Sequence, residues 1–144
     1  MEESRSFTGS YIDACVWRIE AQFAAIDSLR LQAPIDGSLD AAIDEVEEEF
    51  LAAMAGQVEG MFASRARALE HAPGPLVEMR AIAWSLGANG GRFESPEGAG
   101  LNSQTTILKV DPGDPVRLTR RSFQRLADAF LTAVESTYRD RTSD

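Results

Sequence analysis

Apolar residues recur along most of this chain at alternating spacings of three and four, the pattern of helices that bury one face. Ile12, Val16, Ile19, Phe23 and Ile26 form the first such stripe. It predicts a helix from about Tyr11 to Leu31, capped by a polar residue of Thr8-Gly9-Ser10. Cys15 and Leu29 flank the stripe, and Trp17 lies off its centre, marking its edge or a second contact. Pro34 stops the helix, because the residue before a proline is steered away from helical angles.

Asp36-Gly37-Ser38 supplies a turn and cap for a second helix, expected from Ser38 to His71. Its stripe is Leu39, Ile43, Val46, Phe50, Met54, Val58 and Met61, extended by Phe62 and Leu69. A straight helix of that span is about 50 Å long, more than the roughly 35–40 Å diameter of a compact domain this size. Either it bends or the molecule is elongated, and a homodimer would suit the second case. Gly56 and Gly60 are each about 1 kcal/mol worse than alanine inside a helix. Ala52, Gly56, Gly60 and Ala63 share a face away from the apolar stripe. That face predicts close approach by another helix.

Ala72-Pro73-Gly74-Pro75 is the strongest break in the chain. A short third helix from Leu76 to Leu86 is apolar on most faces and expected to be buried. Gly87 or Asn89-Gly90-Gly91 ends it with left-handed geometry. The glycine-rich stretch 88–104 reads as a long loop, either a mobile lid or a partner-binding element. Two β-branched runs around Asp111-Pro112-Gly113-Asp114 predict a β-hairpin over 105–118, with Pro115 placing its second strand at an edge. Thr119 then caps a last helix, Arg120 to about Arg139, with Phe123, Leu126, Phe130, Val134 and Tyr138 facing inward. The expected fold is therefore mostly α: a single four-helix, bundle-like domain over 1–144, with a flexible leader at 1–10 and one β-hairpin between the third and fourth helices.

Composition agrees with a globular domain, at 144 residues with 44% hydrophobic and 26% charged. The one cysteine excludes an internal disulfide and suits a reducing compartment. With no signal-like start and no long apolar run, the expected location is the cytoplasm, with no membrane partner. Charge is uneven. Met1–Ala72 carries 14 acids and 5 bases, a net of −9, whereas Pro73–Asp144 carries 9 of each. An acidic chain of this kind is expected to repel nucleic acid.

The acid concentrates in Asp44-Glu45-Val46-Glu47-Glu48-Glu49, which could be a solvated face, a protein-binding surface or half of a metal site. Helical metal hydrolases need a second acid pair on a facing helix, and no other helix offers one. No metal or other cofactor is therefore expected. His71, the only histidine, sits at a helix end, and no serine or cysteine stands in a nucleophile setting. No catalytic residue is assigned. Asn89-Gly90-Gly91-Arg92 follows a helix, whereas phosphate-binding glycine loops follow a strand. In that loop Arg92, Phe93 and Glu94 are the residues that could grip a ligand or partner.

Arg117, Arg120, Arg121 and Arg125 form a cluster, and three of them crowd the first turns of the last helix, where cations are disfavoured by about 0.3–1 kcal/mol each. Pairing with the acids of the second helix, or with an anionic ligand, would offset that cost. The hairpin, Val116-Arg117-Leu118-Thr119 and the following helix resemble the wing region of winged-helix repressors. A glycine-rich loop stands where that family's recognition helix belongs, so nucleic-acid binding is not expected.

Three functions follow as expectations. The first is a non-catalytic interaction module, such as an adaptor, an assembly chaperone or an acidic antitoxin-like inhibitor. It would use Glu45, Glu48, Glu49, Ala52, Gly56, Gly60 and Ala63 against a protein partner or a second copy. The second is a regulator binding a small anionic ligand through Arg92, Arg117, Arg120, Arg121 and Arg125, covered by the 88–104 loop. The third is a metal-dependent helical hydrolase.

Overall fold

The computed structural model describes residues 7–63 and 74–139. Four helices order the chain: α1 (Gly9–Leu31), α2 (Asp40–Phe62), α3 (Gly74–Ala88) and α4 (Arg120–Tyr138). The segment expected to carry the second helix on to His71 lies outside the described residues, as does the start of the expected leader. No helix among the described residues is long and apolar enough to cross a membrane.

α1 forms as its pattern predicts. Thr8 is extended and its hydroxyl accepts from the backbone N–H of Tyr11 at 3.2 Å, while Ile12, Cys15, Ile19, Phe23 and Ile26 are buried. The part of the leader at Phe7 is already packed: its ring is buried and its N–H donates to the Tyr138 carbonyl at 2.6 Å. On α2 the buried stripe is Ile43, Leu51, Met54, Ala55, Val58 and Phe62. It is rotated from the expected one, because Leu39 and Val46 are exposed and Phe50 and Met61 are half-buried. α4 carries a capping box, with Thr119 and Ser122 exchanging side-chain and backbone hydrogen bonds, and buries Phe123, Leu126, Ala127, Phe130 and Val134.

α3 packs against both α2 and α4, and α1 packs against the same two helices. One continuous core draws on all four helices and on Phe93, Leu101, Val110, Val116 and Leu118 from the irregular segment between α3 and α4. Phe93, expected to be a gripping residue, is therefore a core residue.

The expected β-hairpin over 105–118 does not form, and no strand occurs among the described residues. The reason lies in its turn. The Asp114 N–H donates to the Asp111 carbonyl, and Gly113 sits at φ 92° after Pro112, which specifies a type II turn. That turn splays flanking strands, whereas hairpins favour the primed types. The first run is also interrupted by Lys109 at φ 57°, outside any strand conformation. The second run instead meets residues 91–93: the Val116 N–H donates to the Gly91 carbonyl at 2.7 Å and the Phe93 N–H to the Asp114 carbonyl at 2.8 Å. This leaves a single antiparallel bridge, Arg92 to Pro115.

The backbone donors of the first run go to a buried carboxylate. Glu78 of α3 is 2% exposed, and its two oxygens accept from the N–H groups of Ile107 at 2.8 Å and Leu108 at 2.9 Å. Successive N–H groups ahead of a left-handed residue make a concave anion seat, here filled by the protein's own side chain. The loop before it is likewise braced. Leu101 N–H donates to Ser95, Glu94 N–H to buried Ser85, and Ser103 N–H to the Asp111 carboxylate.

Candidate functional site

The acid-rich half of α2 divides into two faces. Arg30, in the last turn of α1, donates to Asp44 at 2.6 Å and to both oxygens of Glu47 at 3.0 and 3.2 Å. Those carboxylates, Glu47 foremost, hold the guanidinium more firmly protonated than a free arginine. Asp44 and Glu47 are thereby spent on joining α1 to α2. Glu45, Glu48 and Glu49 take no part in that junction and are exposed. Glu48 accepts from Arg117 at 3.5 Å, a loose pair between exposed side chains. Glu45 and Glu49 make no ion pair among the described residues.

Beside this face lies a cleft of about 310 Å³. Glu48 and Glu49 of α2 and Arg117 stand among its lining residues, together with half-buried Leu86 and the largely buried Val116 and Leu118. Gly90 and Gly91, at φ 65° and 81°, form a further wall, where a side chain would meet an unfavourable backbone. Asn89 and Gly91 both return their N–H groups to the Ser85 carbonyl, which fixes this wall to the end of α3. The combination of aliphatic surface with two carboxylates and one guanidinium carries a net charge of −1. Such a site suits an aliphatic stem with a cationic head.

The small face continues along the same helix. Gly56 and Gly60 are exposed, and a Cβ added at either would meet nothing within 4 Å. The close approach expected there is made by no helix of this chain among the described residues. Ala52 and Ala63 are partly covered.

The five expected ligand arginines do not converge. Arg92 donates to the Gly113 carbonyl and Arg117 to Glu48. Arg120 reaches α1, not α2: it holds both oxygens of Asp27 at 3.0 Å and lies 4.1 Å over the Phe23 ring. Arg121 and Arg125 are exposed and make no ion pair among the described residues. The cost of an arginine at the start of α4 is thus offset by α1 for Arg120 alone. Arg120→Ala is expected to lower stability by about 1–2 kcal/mol, the joint worth of a bidentate pair and a cation–π contact. Arg120→Lys should recover less than half of this in urea denaturation, since an ammonium cannot serve both oxygens in one plane.

Among the described residues no group of three or more His, Cys, Asp or Glu side chains is gathered to hold a metal ion. Cys15 is buried and its thiol pKa is raised, chiefly by burial. His71 lies outside the described residues. Glu78 is the residue that sequence reasoning passed over, although an acid inside Leu76-Val77-Glu78-Met79 had no polar face to turn to. Comparison with known protein families, with curated proteins and with solved structures finds no match for this chain.

Proposed function

We propose that this protein is a non-catalytic interaction module, an adaptor, assembly chaperone or acidic inhibitor, that seats a lysine or arginine side chain of a partner protein in the cleft beside α2. The observation that carries this reading is a cleft lined by aliphatic Leu86, Val116 and Leu118 together with the carboxylates of Glu48 and Glu49. A lysine stem would cover the aliphatic surface and its ammonium would reach the acids. Glu45 and Glu49 carry charge that no described residue offsets, so the face attracts cations from a distance of about a Debye length, roughly 8 Å in physiological salt. Further along α2, the open surface at Gly56 and Gly60 gives a partner backbone room to lie close.

The test is binding of a fluorescein-labelled hexalysine peptide, with hexaglutamine as the control, at about 0.15 M salt. Glu48→Gln/Glu49→Gln is expected to weaken hexalysine binding about tenfold or more, while Glu97→Gln/Asp128→Asn, which removes the same charge elsewhere, leaves it within a factor of about two. Equal losses from both double variants would mean that net charge alone attracts the peptide, and the reading would fail.

A further inference from the structure

α1 carries a second stripe on the side away from the core. Trp17, Ala21, Ala24, Ser28 and Leu31 recur at spacings of 4, 3, 4 and 3, and all five are exposed. This is the spacing of a heptad seam, with Trp17, Ala24 and Leu31 at one of its two positions and Ala14, Ala21 and Ser28 at the other. Trp17 is 70% exposed and Leu31 is 87% exposed, so the two largest side chains of the stripe are left uncovered by this chain. Small residues between two large ones let a second helix come close at the centre and lock at both ends. In the turn between α1 and α2, Ile35 is fully exposed and Leu39 half-exposed.

Charge decides the occupant. One flank of the seam carries Asp13, Glu20 and Asp27, seven residues apart, in the row that selects partners in paired helices. Asp13 is paired with Arg139 and Asp27 with Arg120, whereas Glu20 makes no ion pair among the described residues. The other flank carries Arg18, Ala25 and Gln32. An antiparallel second copy would set the two acidic rows against each other. A parallel copy would gain only the pair Asp13 with Arg18, once from each chain, with Asp13 already held by Arg139, against the mutual repulsion of two chains of net charge −9. An anionic membrane is repelled for the same reason.

We propose that the outer face of α1, from Ala14 to Leu31, docks a helix of another protein that carries aliphatic residues at its seam and lysine or arginine along its edge. This surface is separate from the α2 cleft and stands whether or not that cleft seats a basic side chain.

The probe is a 28-residue peptide of four heptads with leucine at the seam positions and lysine on both flanks, set against a twin with glutamate on the flanks. In a Trp84→Phe background Trp17 is the one tryptophan left and reports directly. The lysine peptide is expected to shift Trp17 emission to the blue and the glutamate twin to leave it unchanged. Ala24→Glu, at an exposed position that folding does not use, should weaken the lysine peptide by at least about tenfold, with the circular dichroism spectrum and urea midpoint retained. Glu20→Lys should weaken the lysine peptide and let the glutamate twin bind. Glu48→Gln/Glu49→Gln should change neither result. Lysine-peptide binding unaffected by Ala24→Glu would overturn the proposal. So would a concentration-dependent dimer in sedimentation equilibrium that Ala24→Glu abolishes, or a Trp17 shift produced by phosphatidylcholine vesicles in place of the peptide.

Discussion

Glutamine at position 78 is expected to destabilise the fold by about 1–3 kcal/mol, and alanine by about 3–5 kcal/mol. Both oxygens of Glu78 are committed, one to the Ile107 N–H and one to the Leu108 N–H. An amide keeps one acceptor and presents an NH2 to the other donor, so one buried N–H loses its partner. Alanine leaves both donors unpaired and opens a void beneath the 101–110 loop. Equilibrium urea denaturation measures the loss. Hydrogen exchange locates it, with faster exchange expected at Ile107 and Leu108 while the α4 amides change only with global stability. If the glutamine variant kept wild-type stability and protection, the seat made by residues 107 and 108 would have no energetic part in holding this loop.

The same residue gives stability a pH dependence of definite sign. Burial raises the Glu78 pKa above its ordinary value of 4.5, and the two backbone donors oppose that shift without cancelling it. A carboxyl that binds its proton more tightly when folded stabilises the native state most below its unfolded pKa. Its contribution falls as pH rises from about 4.5 through the raised folded value, then levels off. The stability difference between wild type and Glu78→Gln should therefore shrink across that window. This is the opposite of an acid held by a salt bridge, which gains stability as it ionises.

How much of this was legible in the sequence differs from element to element. α4 was readable because its buried residues are large and its outer face polar, and α1 because its buried stripe is regular, although its outer face also carries Trp17 and Leu31. Ile12, Ile19, Phe23 and Ile26, like Phe123, Leu126, Phe130 and Val134, are all buried. α2 was readable as a helix but not in its facing, since Leu39, Val46, Leu51 and Ala55 put apolar groups around much of its circumference. Periodicity alone cannot choose among such faces; packing against α3 does. The segment 105–118 misled for another reason. β-branched residues report a preference for extended backbone, whereas the fate of its N–H groups was fixed by Glu78, nearly thirty residues earlier. For the site, Glu48 and Arg117 do meet as expected, but the cleft needed Gly90, Gly91 and Val116 brought alongside. Contacts between such distant residues leave no trace in local spacing.

Phe62→Ala is expected to cost about 3–5 kcal/mol, a large part of the 5–15 kcal/mol typical of a domain's whole stability. Phe62 is buried at the end of α2, edge-on to Phe7 at 5.1 Å and to Tyr11 at 5.8 Å, and tilted against Phe130 of α4 at 5.7 Å. Phe7 in turn meets Tyr138 at 6.2 Å, and the Tyr11 hydroxyl donates to the Met61 carbonyl. One ring thus joins the segment before α1, the end of α2 and the inner face of α4. Removing it leaves a void that none of these elements can close without moving the others. A double-mutant cycle with Phe7→Ala separates the ring pair from simple burial, with a coupling of about 0.5–1.5 kcal/mol expected for an edge-to-face contact. Phe7 and Phe62 showing strictly additive losses would mean that each ring is buried independently. Destabilisation here should leave the α1 seam and the α2 cleft intact in whatever fraction remains folded. Binding loss in Phe62→Ala should therefore track the unfolded fraction, whereas binding loss in Ala24→Glu should not.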